Sequence, residues 1–127
     1  MAQVHVLKKT ENEVVLKCYI TENGGVITIP LNGEYIKLDN ETYVQNQSLV
    51  TIREIFWGAK KDKQIDITRV ANTAANTVHG HYYLLNAGSY DFDGFVDNTY
   101  ANSAIRIIGD GQFHVILKLG KQGYIKS

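Results

Sequence analysis

The sequence predicts an all-β protein, a single-domain antiparallel β-sandwich of jelly-roll-like form that spans residues 1–127. Three observations predict it. Runs in which apolar and polar residues alternate, the period of a half-buried strand, recur along the chain. Turn residues separate these runs roughly every ten residues, as in sandwiches and barrels. No segment shows a long 3.6-residue period with helix caps.

The first part of the chain predicts three strands. Residues around Val4 and Val6 form a short first strand, and Glu13–Ile20, rich in β-branched and aromatic side chains, forms the second. Asn23-Gly24-Gly25 accepts the positive φ angles of a tight hairpin turn. The third strand, Val26–Leu31, follows that turn.

The middle of the chain predicts one long strand after a polar stretch. Asn32-Gly33 turns the chain into the extended segment Glu34–Leu38, and Asp39–Ser48 is irregular. Leu49–Trp57 is the longest convincing strand. Alternation directs three of its side chains toward neighbours: Val50, Ile52 and Phe56.

Further strands follow a solvated lysine-rich loop at residues 60–63. Gln64–Arg69 alternates, and Val70–Asn76 has the length of one helical turn but is too short and too rich in Asn and Thr to hold one alone. Val78–Leu85 and Ser89–Phe92 are the next strands. The chain then closes in a predicted β-hairpin, whose strands Ala104–Ile108 and Phe113–Leu119 are joined by a glycine-rich turn at residues 109–111.

Composition narrows the class of function. The chain has 13 basic and 13 acidic side chains, and this balance argues against nucleic acid as a partner, since phosphate binding needs a basic field. The single cysteine, Cys18, excludes an internal disulfide and is predicted to be buried. No apolar run is long enough for a membrane helix, and no signal peptide is visible, so we expect synthesis in the cytoplasm.

Two groups of residues are candidate metal ligands. The acidic turn of Asp91, Asp93 and Asp97 offers oxygen ligands for calcium, but it lacks a closing Glu, and a tight turn bonded to local amides is the alternative. His79 and His81 share one face of a strand and would need a third ligand, such as His5 or His114, to hold zinc. A solvent-facing row on a strand is the alternative there, and no metal or other cofactor is predicted.

Catalytic patterns are missing from the sequence. No serine lies in a Gly-x-Ser-x-Gly motif, and Gly109-Asp110-Gly111 opens no helix that could bind phosphate. Paired carboxylates cannot be assigned from sequence, because their pairing is spatial. We therefore expect a protein that binds or assembles and is not an enzyme.

Eight tyrosines and one tryptophan favour a binding surface, because such side chains present rigid amphipathic area to proteins or sugars. Residues 1–8 are expected to form an N-terminal arm that pairs with a neighbour's sheet edge. The interface candidates are Trp57, Tyr82, Tyr83, Tyr90, Tyr124, Val4 and Val6.

From Leu49 to Tyr124 the chain resembles the small all-β virion structural proteins of tailed phages, those of marine phages in particular. The resemblance depends on a set of framework motifs. They are the apolar strand ending in Trp57-Gly58, the strand Ile65–Arg69, the turn with Asp91, Phe92 and Gly94, the strand Asn102–Ile107, and the glycine-rich turn and final strand before Gly123-Tyr124.

The resemblance implies a non-enzymatic part of a virion. The first expectation is a capsid decoration, or cement, protein that binds the major capsid protein and stabilises the shell, working as a homo-oligomer that could be a trimer. A neck or tail component is the alternative within this class. A carbohydrate-binding or receptor-binding module that stacks sugars on Trp57, Tyr82, Tyr83 or Tyr90 is the alternative of another class.

Overall fold

The computed structural model describes residues 2–70, 78–92 and 101–126, with the side chains of 78–81 outside the description. These residues form eleven strands, joined by turns and without a helix. The strands are β1 Ala2–Lys9, β2 Glu13–Ile20, β3 Gly25–Ile29, β4 Glu41–Thr42, β5 Leu49–Ala59, β6 Gln64–Val70, β7 Val78–Leu85, β8 Ala87–Asp91, β9 Ala104–Gly109, β10 Phe113–Gln122 and β11 Ile125–Lys126.

Two antiparallel sheets form the body of the protein. One has five strands in the order β1-β2-β10-β5-β8, and the other has four in the order β3-β9-β6-β7. Apart from the added edge strand β1, the strand orders β2-β10-β5-β8 and β3-β9-β6-β7 are those of two interlocked Greek keys, which is the jelly-roll arrangement. The predicted antiparallel β-sandwich is confirmed.

The core lies between the two sheets because alternation places one side of each strand there. In β2, Val14, Leu16, Cys18 and Ile20 are buried while the residues between them are partly or fully exposed. β10 repeats the pattern with inward side chains at Phe113, Val115, Leu117 and Leu119. Burial of these side chains, together with the isoleucines of β6 and β9, is the main stabilising contribution.

A bulge in β5 corrects one prediction. Val50 and Ile52 are buried as expected, but the pairing with β10 shifts between its residues Lys118 and Leu119. The bulge inserts one extra residue into β5, so the inward face continues at Ile55 and Phe56 lies on the outer surface.

The predicted closing hairpin is wrong. β9 pairs with β3 and β6, whereas β10 pairs with β2 and β5, so the glycine-rich turn carries the chain from one sheet to the other. The turn at Asn23-Gly24-Gly25 makes a similar crossing from β2 to β3 and closes no hairpin. Gly24 in this turn has φ 115°, a backbone conformation that favours glycine, and this explains why glycine occurs there. A turn residue therefore marks where the chain bends without fixing the pairing.

Two further predictions differ from the structure. The segment Glu34–Leu38 forms consecutive turns, in which the amides of Ile36 and Lys37 donate to the carbonyl of Gly33, and no strand. The polar stretch after it contains the short strand β4, which pairs with β11 near the C-terminus. The segment 70–76, considered for a helical turn, lies outside the described residues beyond Val70.

The expected N-terminal arm lies in the chain's own sheet. β1 pairs antiparallel with β2, and Val4 packs against the core. Because β1 has one partner strand among the described residues, its outer side forms a sheet edge. In the part of the chain that is described, no helix is long and apolar enough to cross a membrane.

Candidate functional site

The outer face of the five-stranded sheet contains an open concavity of about 1030 Å³ at the end where β2 finishes and β10 begins. Alternation and register bring its floor together: His5, Lys17 and Ile116 are successive cross-strand partners on β1, β2 and β10. Tyr19 and His114 form the next row. We call this concavity the basic groove, since its lining includes Lys17, Lys60, His5 and His114 and has no Asp or Glu.

Aromatic rings shape the floor of the basic groove. The imidazole of His5 stacks on Tyr19 with ring centroids 5.5 Å apart, and its Nε2 lies 3.2 Å from the Tyr19 hydroxyl. Lys17 Nζ lies 5.9 Å from the centroid of the Tyr19 ring. A Cβ at Gly58 would lie 2.5 Å from Cε1 of His114, so the glycine lets this imidazole lie against β5. At this position β5 has no side chain, and the His114 ring occupies the space instead.

The opposite end of the same face carries paired charges. Lys8 Nζ lies 2.9 Å from a Glu13 carboxylate oxygen, and Lys118 Nζ lies 3.8 Å from Glu13 and 3.9 Å from Glu54. The hydrogen bond from Lys8, with the charges of Lys118 and Arg53, lowers the pKa of the Glu13 carboxyl despite its partial burial. These carboxylates are neutralised within the chain.

A buried ion pair lies just beyond that charged end. Lys121 Nζ lies 2.6 Å from Oε1 of Glu41, and their side chains are 0% and 2% exposed. Lys121 also donates to the carbonyl of Thr10, and the amide of Leu38 donates to Glu41 Oε1. We call these four residues the polar clamp, because they join β10 to the segments before β2 and around β4.

Arg69 is a second buried polar residue. Its guanidinium donates to the carbonyls of Val50, Ala101 and Ser103 at 2.6 to 3.1 Å. Neither Arg69 nor Lys121 was predicted as a structural residue. Both continue the inward register of an apolar strand, after Ile65 and Ile67 in one case and after Leu117 and Leu119 in the other. A charged residue at an inward-facing position of an apolar strand is therefore the sequence signal that identifies Arg69 and Lys121 as buried structural residues.

The predicted aromatic candidates lie at different places. Trp57, Tyr82, Tyr90 and Phe92 form one cluster near strands β7 and β8, with ring centroids 5.4 to 6.4 Å apart. Trp57 is half-buried and its Nε1 donates to the carbonyl of Leu85, 3.1 Å away. Tyr83 and Tyr90 are 66% and 47% exposed. The rings of this cluster tilt by 40° to 53°, except for the Tyr90 and Phe92 pair at 23°.

Tyr124 is an anchor of the C-terminal segment. Its hydroxyl donates to the carbonyl of Leu31 at 2.6 Å, and its ring lies 5.0 Å from Lys121 Nζ. Burial raises the pKa of this hydroxyl. The other two interface candidates, Val4 and Val6, lie on β1, where Val4 packs inward and Val6 is exposed.

The metal candidates are not assembled in the described part of the chain, where no group of three His, Cys, Asp or Glu side chains could hold an ion. His5 and His114 lie in the basic groove. The side chains of His79 and His81 lie outside the described residues, as do Asp93 and Asp97, while Asp91 is exposed at the end of β8. Cys18 is buried, and burial raises the pKa of its thiol to about 12.

Comparison of the chain with protein-family models, with curated protein sequences and with solved structures gives no match. Evidence for function therefore comes from the geometry of the chain itself.

Proposed function

We propose that the protein is a non-enzymatic structural protein of a phage virion, a decoration protein that binds the major capsid lattice. The observation that carries the proposal is the distribution of exposed large hydrophobic side chains: among the described residues, six of the eight lie on strands at opposite edges of the sandwich, and the other two, Phe56 and Ile125, lie on β5 and β11. The resemblance of the Leu49–Tyr124 region to phage virion proteins gives the proposal its setting.

The two edges are built from different strands. β1 and β3 lie side by side at one edge, and β7 and β8 lie side by side at the other. Large apolar or aromatic side chains at least two-fifths exposed occur at both. They are Val6, Leu7 and Val26 at the first edge and Tyr83, Leu85 and Tyr90 at the second.

Two separate patches allow one molecule to contact two neighbours. A cement protein works in this way, because burying apolar area against two capsid subunits joins them across a seam. A standard protein interface buries about 1,600 Å² in total. Because the same interface would repeat over the whole capsid lattice, each copy would need to contribute only a modest binding free energy to stabilise the shell.

The test compares one substitution at each edge. Val26→Asp and Leu85→Asp place a charge in each patch, and the exposed Gln122→Asp is the matched control. Binding of the purified proteins to expanded capsids and the temperature at which the shells rupture are measured. The proposal expects both edge variants to bind less and to lose shell stabilisation, with the control unchanged. Wild-type protein that fails to bind capsids, with virions that lack it, would overturn the proposal.

A neck or tail position is the alternative within the same class. Electron microscopy of the native particle separates the two, since decoration places many copies on the icosahedral shell and the alternative places one ring of copies at the neck or tail.

Glycan binding is the second candidate, favoured by the exposure of Tyr83 and Tyr90. Sugar stacking uses open ring faces, whereas the rings of the Trp57 cluster contact one another at mostly steep angles. A glycan array answers this question directly. Hits that disappear in Tyr83→Ala and Tyr90→Ala would favour the glycan function over decoration.

A further inference from the structure

We infer that the basic groove binds an extended acidic segment of a partner protein. The inference deepens the proposed function and rests on it for the partner's setting, a neighbouring protein of the virion. Charge, shape and the arrangement of apolar side chains each contribute to the argument.

Charge complementarity selects an acidic ligand. Lys17 and Lys60 are exposed, and neither makes an ion pair within the described residues, where the paired lysines are Lys8, Lys118, Lys121 and Lys126. The carboxylates on the same face, Glu13 and Glu54, lie at its other end against Lys118. Opposite charge on a partner would meet two lysines without displacing an internal carboxylate.

The dimensions of the groove suit an extended chain. The lining runs from β1 across β2 and β10 to β5. Three interstrand spacings of about 4.8 Å give a length of roughly 14 Å, which four residues of extended chain would span. Lys17 on β2 and Lys60 just after β5 lie far enough apart to meet two different carboxylates of such a segment.

The floor of the groove favours a peptide over a sugar. Ile116 and the exposed side chain of Leu7 offer apolar surface for aliphatic side chains that alternate with the acids. One face of Tyr19 is covered by His5, so this ring is poorly placed to stack on a sugar. Nucleic acid is disfavoured by the balanced charge of the whole chain.

The first experiment is an NMR titration of the ¹⁵N-labelled full chain. The probe is a blocked octapeptide of alternating glutamate and valine, and the control probe alternates lysine and valine. Shift changes confined to the amides of Lys17, Tyr19, Gly58, Lys60 and His114, with the acidic peptide alone, support the inference. No change at millimolar peptide, or changes spread over every exposed lysine, would overturn it. Binding of oligouronate or oligothymidylate in place of the peptide would also overturn it.

Variants of equal net charge locate the site. Lys17→Glu with Lys60→Glu should raise the Kd for the acidic peptide at least about tenfold, a change of 1.4 kcal/mol. The double variant Lys17→Gln with Lys60→Gln removes both charges without reversing them and should raise this Kd by a smaller factor. It provides a second test if the glutamate variant fails to fold. The control pair, Lys61→Glu with Lys63→Glu, replaces two exposed lysines that do not line the groove, changes net charge equally and should leave the Kd unchanged. Equal weakening by both glutamate pairs would contradict a defined site.

Capsid binding by the same variants separates this inference from the proposed function. If the groove variant binds capsids normally while Val26→Asp does not, decoration stands and the groove is not its contact. If wild-type protein binds no capsid but binds the acidic peptide in the groove, the inference stands and the proposed function fails.

Discussion

The two ends of the five-stranded sheet differ in whether their lysines are paired with carboxylates of the same chain. At the end where β2 begins, Lys8, Lys118 and Lys121 each lie within 4.0 Å of a carboxylate of the same chain. At the other end, Lys17 and Lys60 line a groove that contains no carboxylate. Charges of the first kind are satisfied on folding, whereas those of the second kind remain available to a partner. Under the inference above, one sheet uses one end for internal charge pairing and the other for binding a partner.

The largest effect is expected from breaking the polar clamp. Lys121→Met leaves the Glu41 carboxylate buried without its cation, and we expect a loss of about 3–5 kcal/mol in the free energy of unfolding. Urea denaturation measures the loss.

The matched control for the clamp removes both charges. The double variant Glu41→Gln with Lys121→Met has no buried charge at either position. The side-chain amide oxygen introduced at position 41 can still accept a hydrogen bond from the Leu38 N–H, so the double variant should be more stable than Lys121→Met alone. A double variant that is less stable than the single one would show that the Glu41 charge is satisfied in another way.

The second prediction compares two glycines that let rings approach the backbone. Gly88→Ala would bring a Cβ within 2.8 Å of the Trp57 ring, which is held through its hydrogen bond to Leu85. We expect a loss of about 2 kcal/mol from overpacking. At Gly58, in the basic groove, the exposed His114 ring can move away, so Gly58→Ala should cost less than about 1 kcal/mol. Thermal melts of both variants test the order, and a larger loss at Gly58 would mean that His114 is fixed.

The third prediction concerns the reversal of one lysine charge at each end of the five-stranded sheet. Lys118→Glu removes contacts to Glu13 and Glu54 and adds a third negative charge, so a loss of about 1 kcal/mol is expected. Lys17→Glu should change stability by less than about 0.5 kcal/mol, because no ion pair is lost there. Chemical denaturation at low ionic strength gives both values. Equal losses would remove the distinction between the two ends.

The smallest expected effect is the pH dependence of the contribution of Glu13 to stability. The pKa of Glu13 is lower in the folded protein than in the unfolded chain, so its contribution is present above the unfolded pKa and is lost as pH falls through the folded pKa. The stability difference between wild type and Glu13→Gln should therefore shrink between pH 6 and pH 3. We expect less than about 1 kcal/mol at pH 6.

A double-mutant cycle with Lys8→Met tests the cause of this pH effect. Lys8 makes the hydrogen bond that contributes most to the lowered pKa of Glu13. In the Lys8→Met background the pH-dependent difference should be smaller, and an undiminished difference would assign the effect to Lys118 and Arg53.

The sequence by itself determined the long strands and the inward face of most of them, but not the short strands β4 and β11. Alternation is a local property, because successive side chains of a strand point to opposite faces, and it correctly directed Val50 and Ile52 toward the core. It also predicted the class of the fold. It misplaced Phe56, because a bulge shifts the phase and alternation alone does not reveal it.

Only the tertiary structure decided which strands pair and which side chains meet. Turn chemistry predicted a hairpin between β9 and β10, but the two strands lie in different sheets, where β9 pairs with β3 and β6 and β10 pairs with β2 and β5. The basic groove joins side chains from four strands, and the clamp joins Lys121 to Thr10, 111 positions away. Such contacts depend on the packing of whole sheets, since local periodicity fixes the direction of a side chain and leaves its neighbour undetermined.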